Sequence, residues 1–216
     1  MFPRRPVLPL DMTDLNVGVL GTGMVGEAIA TRLVEVGYDV VMGSRDAANP
    51  KAVAWAERTG GRAGTFADAA AHGPLLFNAT PGGASLDVLR AAGDLAGKVL
   101  ADISNDLTSA AVKPVAAGLQ AAFPELKVVK TLNTVNCEIM VRPDLLSQPH
   151  TMFVAGDDTD AKALVKGVLA KFGWPERDVL DLGGIDKAFA MEQYLPLWLA
   201  LWGVKGDLRF NLSVVS

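Results

Sequence analysis

Residues Asn16–Asp46 read NVGVLGTGMVGEAIATRLVEVGYDVVMGSRD, and the fold is decided there. Val17-Gly18-Val19-Leu20 is an apolar run of strand length that enters Gly21-Thr22-Gly23-Met24-Val25-Gly26. Behind the glycines, Ile29, Ala30, Leu33 and Val36 recur at helical spacing, which gives a helix one sheet-facing stripe. Gly37 ends that helix, and Tyr38–Met42 forms a second apolar strand. A chain with 22 glycines produces Gly-x-Gly-x-x-Gly by chance. Its place between a strand and an amphipathic helix makes it specific. Gly21 permits the tight turn, Gly23 lets the backbone approach a pyrophosphate, and Gly26 lets the helix pack closely on the sheet. The free N–H groups and positive dipole end of the helix then face the phosphates. The expected ligand is a dinucleotide held by Gly21, Thr22, Gly23, Met24 and Val25.

The end of the second strand indicates which dinucleotide. A fold that prefers NAD places Asp or Glu about 20 residues beyond the motif, on the ribose hydroxyls. Here the place holds Gly43-Ser44-Arg45, and Asp39 lies too early, at the strand's entrance. A carboxylate repels a 2′-phosphate, whereas the guanidinium fork of Arg45 pairs with it and the Ser44 hydroxyl adds a donor. Such a charge-assisted contact is worth on the order of 1.5–3 kcal/mol. Lys51, just after Asn49-Pro50, is expected to assist. The cofactor expected is NADP.

The remaining chain alternates strand and helix signals. Strands are expected at Arg62–Phe66, Pro74–Thr80, Lys98–Ser104, Lys127–Asn133, Thr151–Gly156 and Val179–Leu182. Helices are expected at Lys51–Thr59, Ser85–Ala92, Ala110–Ala122 and Asp157–Phe172, with Pro114 tolerated in the first turns of the third. This order predicts an α/β fold of Rossmann type: a doubly wound, mostly parallel sheet with a small C-terminal helical segment. Ligands in such sheets bind beyond the carboxyl ends of the strands. That rule adds Ala79, Thr80 and Pro81, Asn105, and Asn133 to the cofactor-binding candidates. Thr80-Pro81 is expected near the ribose or the nicotinamide, and the two asparagines against the nicotinamide amide or a second substrate. Asp102 is expected to accept local backbone bonds rather than serve as a base.

Three parts are expected: a flexible extension over 1–14, an NADP-binding domain over 15–183, and a helix and tail over 184–216 that help form the second-substrate pocket and a dimer interface. Ile185–Trp202 reads as one long helix, apolar around most of its girth and kinked at Pro196. A chain of 216 residues hardly covers such a helix alone, so a homodimer is expected. A net charge of −4 argues against a nucleic-acid surface, and Gln193–Val204 is too short to span a membrane. One cysteine, Cys137, points to a reducing, cytoplasmic setting. Two histidines without ligand spacing give no support to a metal site or a Ser-His-Asp hydrolase.

The chain from Leu15 resembles the NADPH-dependent reductases of the deazaflavin coenzyme F420. GTGMVGEAIATRL, VVMGSRD, FNATPGG, LADISN, VVKTLNTV, FVAGDD and MEQYLPLWLALWG carry the likeness. The resemblance implies hydride transfer between NADPH and F420 or a flavin-like small-molecule acceptor. That chemistry asks for two flat rings about 3–3.5 Å apart rather than for a strong acid or base. No catalytic side chain is therefore assigned. The resemblance also implies that the deazaflavin pocket involves Asn133, Thr134, Val135 and Met191–Trp202. Asn133-Thr134-Val135-Asn136 differs from the histidine-containing stretch that the resemblance would lead one to expect. Two alternatives stand beside this reading: an NADPH-binding sensor without turnover, and a reductase of a small imine or carbonyl. The second needs a proton donor, and Lys130 is the lysine near a strand end.

Overall fold

The computed structural model describes residues 15–106 and 113–215. The expectation of a flexible extension over 1–14 lies outside the described residues, as do Ala110, Ala111 and Val112 of the helix expected at Ala110–Ala122.

Eight strands form one sheet in the order β3-β2-β1-β4-β5-β6-β7-β8. They are β1 (Asn16–Leu20), β2 (Asp39–Ser44), β3 (Arg62–Thr65), β4 (Leu75–Asn78), β5 (Val99–Asp102), β6 (Lys127–Thr131), β7 (Met152–Ala155) and β8 (Val179–Asp181). The first six run parallel, β7 is antiparallel to β6, and β8 is parallel to β7. The chain builds outward from β1 to β3, then returns to place β4 on the other side of β1. Strand order therefore reverses between β1 and β4, where a doubly wound sheet opens a ligand crevice.

Alternation along the strands builds a core on each face. Val17, Val19, Leu75 and Phe77 join one cluster with Ile29 and Leu33 of α1 (Met24–Glu35) and Trp55 of α2 (Pro50–Thr59). Val165 and Leu169 of the later helix Thr159–Phe172 complete that side. Leu20, Leu76, Leu100 and Val128 face the other way, against the helix α3 (Phe66–His72), α4 (Gly82–Ala91) and α5 (Val115–Ala122). After α6 (Cys137–Val141) and α7 (Thr159–Phe172), the chain ends in α8 (Ala188–Gln193) and α9 (Leu195–Lys205).

Three expectations are corrected. The second strand does not stop at Met42: β2 pairs with β3 through Ser44, because Arg62–Thr65 gives it an edge partner. The third expected helix begins at Val115, since Pro114 takes a non-helical conformation as its N-cap, with ψ 88°. The single helix expected over Ile185–Trp202 is three pieces: a short turn at Ile185–Lys187, then α8, then α9. Pro196 stands in the first turn of α9, where its missing N–H costs nothing, so it starts a helix instead of kinking one. None of the α9 residues is buried, and Leu197, Leu199 and Trp202 are each more than two-fifths exposed. Among the described residues no helix is long and apolar enough to cross a membrane.

Candidate dinucleotide site

The carboxyl tips of the parallel strands are laced into one continuous rim. Gly21 N–H donates to Gly43 O at 3.0 Å, and Ala79 N–H to Leu20 O at 2.9 Å, so the tips of β2, β1 and β4 hold one another. Gly82 N–H donates to Asn105 O at 2.9 Å, joining the start of α4 to the loop after β5. Asn105 reaches Asn133 beyond β6, and Asn133 reaches Met191 in α8. Gly21, Ala79, Asn105 and Asn133, predicted from spacing alone, thus lie on one edge.

The glycine loop distinguishes its own glycines. Gly21 has φ +116°, and a Cβ there would lie 2.8 Å from Ala79 O. A Cβ on Gly26 would lie 2.1 Å from Gly21 O, which the fold cannot accept. Gly23 meets nothing within 4 Å. Its bareness serves no packing in the protein itself; the open space suits the close approach of a diphosphate to a backbone without Cβ. Gly23 is also the N-cap of α1 and offers no side-chain cap to its first amides, which leaves those donors for a ligand. Thr22 and Val25 are part-buried beside it, and Met24 is 81% exposed. The loop therefore fits the pyrophosphate of a dinucleotide.

At the tip of β2 the two expected donors separate. Ser44 is buried, and its hydroxyl donates to Asp46 O and accepts from Asp46 N–H at 3.1 Å. With its proton given to Asp46 O inside the turn, Ser44 shapes the loop that carries Arg45. Arg45 is exposed and has no hydrogen-bond or ion-pair partner among the described residues. The neighbouring Asp46 carboxylate is turned into its own loop, accepting Ala48 N–H at 2.9 Å. Lys51 stands exposed in the first turn of α2, whose amides are capped by Asn49.

At the tip of β4 polarity runs inward. Thr80 donates its hydroxyl to Asn78 Oδ1 at 2.6 Å, and Asn78 Nδ2 donates to Asp102 Oδ1 at 2.7 Å and to Ser85 Oγ at 2.9 Å. Thr80 is thus a strut beneath the rim, whereas Pro81 is exposed above it as the N-cap of α4. Asp102 accepts from Ser104 locally, as expected, but also from Lys130 Nζ at 2.8 Å. Lys130 and Asp102 are fully enclosed, and Glu192 Oε1 lies 3.1 Å from the same ammonium. Lys130 is therefore sealed beneath the rim, which removes the proton donor that an imine or carbonyl reductase reading relied on.

The loop after β6 carries two polar atoms that the fold leaves without partners. Leu132 has φ +63°, a left-handed conformation that leucine adopts at a cost. Asn133 and Thr134 follow, both more than nine-tenths buried, and Asn133 Oδ1 and Thr134 Oγ1 have no hydrogen-bond partner among the described residues. An unpaired buried polar atom costs about 1–3 kcal/mol, so a ligand that supplies partners is favoured at this point. Thr134 was legible beside Asn133 in the sequence. Glu192 was not singled out, although one signal existed: it is the lone charged side chain between Lys187 and Lys205.

Other features carry less. A 550 Å³ hollow at the opposite end of the sheet is bounded by Gln120, Glu125, Lys127 and Asp158, the last two already paired at 2.9 Å. Burial and the adjacent Glu138 raise the Cys137 thiol above its ordinary pKa, which keeps it protonated near neutrality. Among the described residues no group of three His, Cys, Asp or Glu converges to hold a metal ion.

Known proteins share this fold. The family model "NADP oxidoreductase coenzyme F420-dependent" matches residues 16–106, from β1 to the loop after β5. A solved protein of Arthrobacter sp. FB24, provisionally described as an F420-dependent NADP-reductase, is 38% identical, with a TM-score of 0.87. That match covers 94% of this chain and 100% of the Arthrobacter chain. Metalloreductase STEAP3 of Rattus norvegicus is 30% identical over 203 residues, 92% of this chain, which spans 40% of the rat protein's length. A reductive aminase from Aspergillus terreus, solved in complex with NADPH and ethyl levulinate, shares the fold at 23% identity and a TM-score of 0.66. That match covers 90% of this chain and 63% of the aminase. With its glycine loop, strand order and full-length likeness to the Arthrobacter protein, the chain belongs to the coenzyme F420-dependent NADP oxidoreductase family.

Proposed function

We propose that this oxidoreductase passes a hydride between NADP(H) and a deazaflavin of the F420 type, with a flavin-like ring as the nearest chemical substitute. The observation that carries the reading is the β6 loop: two buried polar atoms, Asn133 Oδ1 and Thr134 Oγ1, lack partners among the described residues at the tip where the crevice meets α8. A deazaflavin and a nicotinamide each carry an amide edge, with an N–H and a C=O, that satisfies an acceptor beside a hydroxyl.

In this reading Gly21–Val25 hold the diphosphate and Arg45 holds the 2′-phosphate, with Lys51 adding charge nearby. Ala79 and Pro81 line the ribose side, and Asn105 braces Asn133. NADPH, when bound, supplies the hydride. The protein's residues bind, orient and exclude water; no proton relay reaches the crevice from Lys130. Met191–Trp202 form the acceptor's far wall, and a second copy of the chain covers the apolar face of α9. The reading also supports a site that works inside the cell, where F420 and NADPH are present together.

Stopped-flow absorbance with NADPH and F420 tests it. Bleaching of the deazaflavin band at a rate that saturates with F420 is expected. Absence of bleaching with F420, FMN and FAD alike overturns the acceptor class while leaving the NADP site standing.

A further inference from the structure

Glu192 belongs to the C-terminal segment, yet among the described residues its carboxylate pairs with the main fold. Its Oε1 lies 3.1 Å from Lys130 Nζ in β6 and accepts Ala116 N–H at 3.0 Å. Its Oε2 accepts Val115 N–H at 2.9 Å. Val115 and Ala116 open α5, a helix whose N-cap, Pro114, provides no side-chain cap. Glu192 therefore caps α5 from 77 positions away. An anion at a helix N-terminus is favoured by the amides and by the dipole together.

The next residue back completes the connection. Met191 O accepts Asn133 Nδ2–H at 3.1 Å, and the other Nδ2 proton goes to Asn105 Oδ1 at 3.0 Å. With both protons spent, the Asn133 amide is locked with its oxygen as the free group. Fixing Glu192 fixes Met191, which in turn fixes which face of Asn133 a ligand meets.

Resting on the acceptor reading above, we propose that Glu192 is a positioning residue for the acceptor side of the crevice. Through Met191 it presents Asn133 Oδ1 as an acceptor for a ring-borne amide N–H. The lysine holds Asp102 as well, so one cation serves two carboxylates. Glu192→Gln leaves Lys130 paired one-to-one with Asp102 and retains one oxygen acceptor for the α5 amides. It loosens the latch without stranding a buried charge.

The experiment compares wild type, Glu192→Gln and Glu192→Ala by three measurements on the full chain. Hydrogen exchange reads the Val115 and Ala116 amides, α8 and the 133–135 loop. Fluorescence titration reads NADPH affinity, and steady-state kinetics reads F420. Exchange is expected to accelerate about tenfold or more at those sites in Glu192→Ala, with partial recovery in Glu192→Gln and no change in β1–β4. The KM for F420 should rise about tenfold while the NADPH Kd stays within about twofold. Exchange that is unchanged, or that accelerates across the whole sheet, overturns the proposal, as does a parallel rise in both binding constants. If wild type proves inert toward F420, the acceptor reading fails; the latch is then decided by the exchange pattern and by NADPH affinity.

Discussion

Asn105 and Asn133 grip each other across the tips of β5 and β6: Asn105 Nδ2 donates to the Asn133 carbonyl at 2.8 Å, and Asn133 Nδ2 donates to Asn105 Oδ1 at 3.0 Å. The Asn105 side-chain amide both gives and accepts, whereas Asn133 gives from its side chain and accepts on its main-chain carbonyl. Asn133→Asp replaces the donor with an oxygen facing two other acceptors, Asn105 Oδ1 and Met191 O. A loss of about 1–3 kcal/mol in urea unfolding is expected. Asn133→Asp with wild-type stability would show that the pair contributes nothing.

The glycine loop allows a cleaner separation of folding from binding. Gly23→Ala adds a Cβ into open space, so thermal stability should stay near wild type while NADPH affinity falls sharply. Gly26→Ala puts a Cβ 2.1 Å from Gly21 O and should lower stability before any ligand is added. Differential scanning fluorimetry with and without NADP checks both. If Gly23→Ala still binds NADPH at wild-type affinity, the diphosphate does not lie on that loop.

How far these contrasts were legible in the sequence depends on their range. The strand–glycine loop–helix unit and the mostly parallel sheet follow from spacing within about thirty residues, whereas the order of the strands does not. Ser44 and Thr80 lie at strand tips, but their internal partners were not legible, because a hydroxyl's partner depends on backbone curvature that spacing does not encode. Residues paired across long separations could not be read. Glu192 meets Val115 and Lys130 only once α8 has folded back over β6, and no periodicity announces that. The division of the C-terminal helix is equally hidden from spacing, because a proline within an apolar run is as able to begin a helix in its first turn as to kink one.

Arg45 sets the next prediction. Its guanidinium has no partner among the described residues, so its removal costs the fold little. Arg45→Ala is expected to weaken NADPH binding by about 1.5–3 kcal/mol in titration calorimetry and NADH binding hardly at all. An equal loss for both nucleotides would place the 2′-phosphate elsewhere.

Acid stability should reveal the cap of α7. Asp158 accepts Ala161 N–H at 2.8 Å and pairs with Lys127 at 2.9 Å, and these two contacts, the amide first, hold its carboxyl below the ordinary pKa. A pKa depressed in the folded state adds stability above the unfolded value of about 3.9 and loses it as pH falls through the folded value. Asp158→Ala should therefore cost about 1 kcal/mol at pH 7, the usual worth of an N-cap. The gap from wild type should close below about pH 3. Urea titrations at both pH values measure it, and a constant gap would mean that the carboxylate is not the source.

The face of α9 gives the last test. Leu197, Leu199, Trp202 and Val204 are 52%, 44%, 43% and 89% exposed, and the helix has no charge before Lys205. Trp198 stacks on Phe210 with ring centroids 5.4 Å apart, so the helix is held to its own tail on one side while its other sides stay bare. Leu197 and Val204 project from one side of the helix and Leu199 and Trp202 from the opposite side, so apolar surface is exposed on more than one side; we propose that a second copy, meeting it by two-fold symmetry, buries identical residues from both chains. Light scattering should report a dimer for wild type. Leu197→Arg with Trp202→Glu should give a monomer that still binds NADPH, since neither side chain belongs to the rim. A wild-type monomer across micromolar concentrations would remove the dimer, and a double variant that stays dimeric would move its interface off this helix.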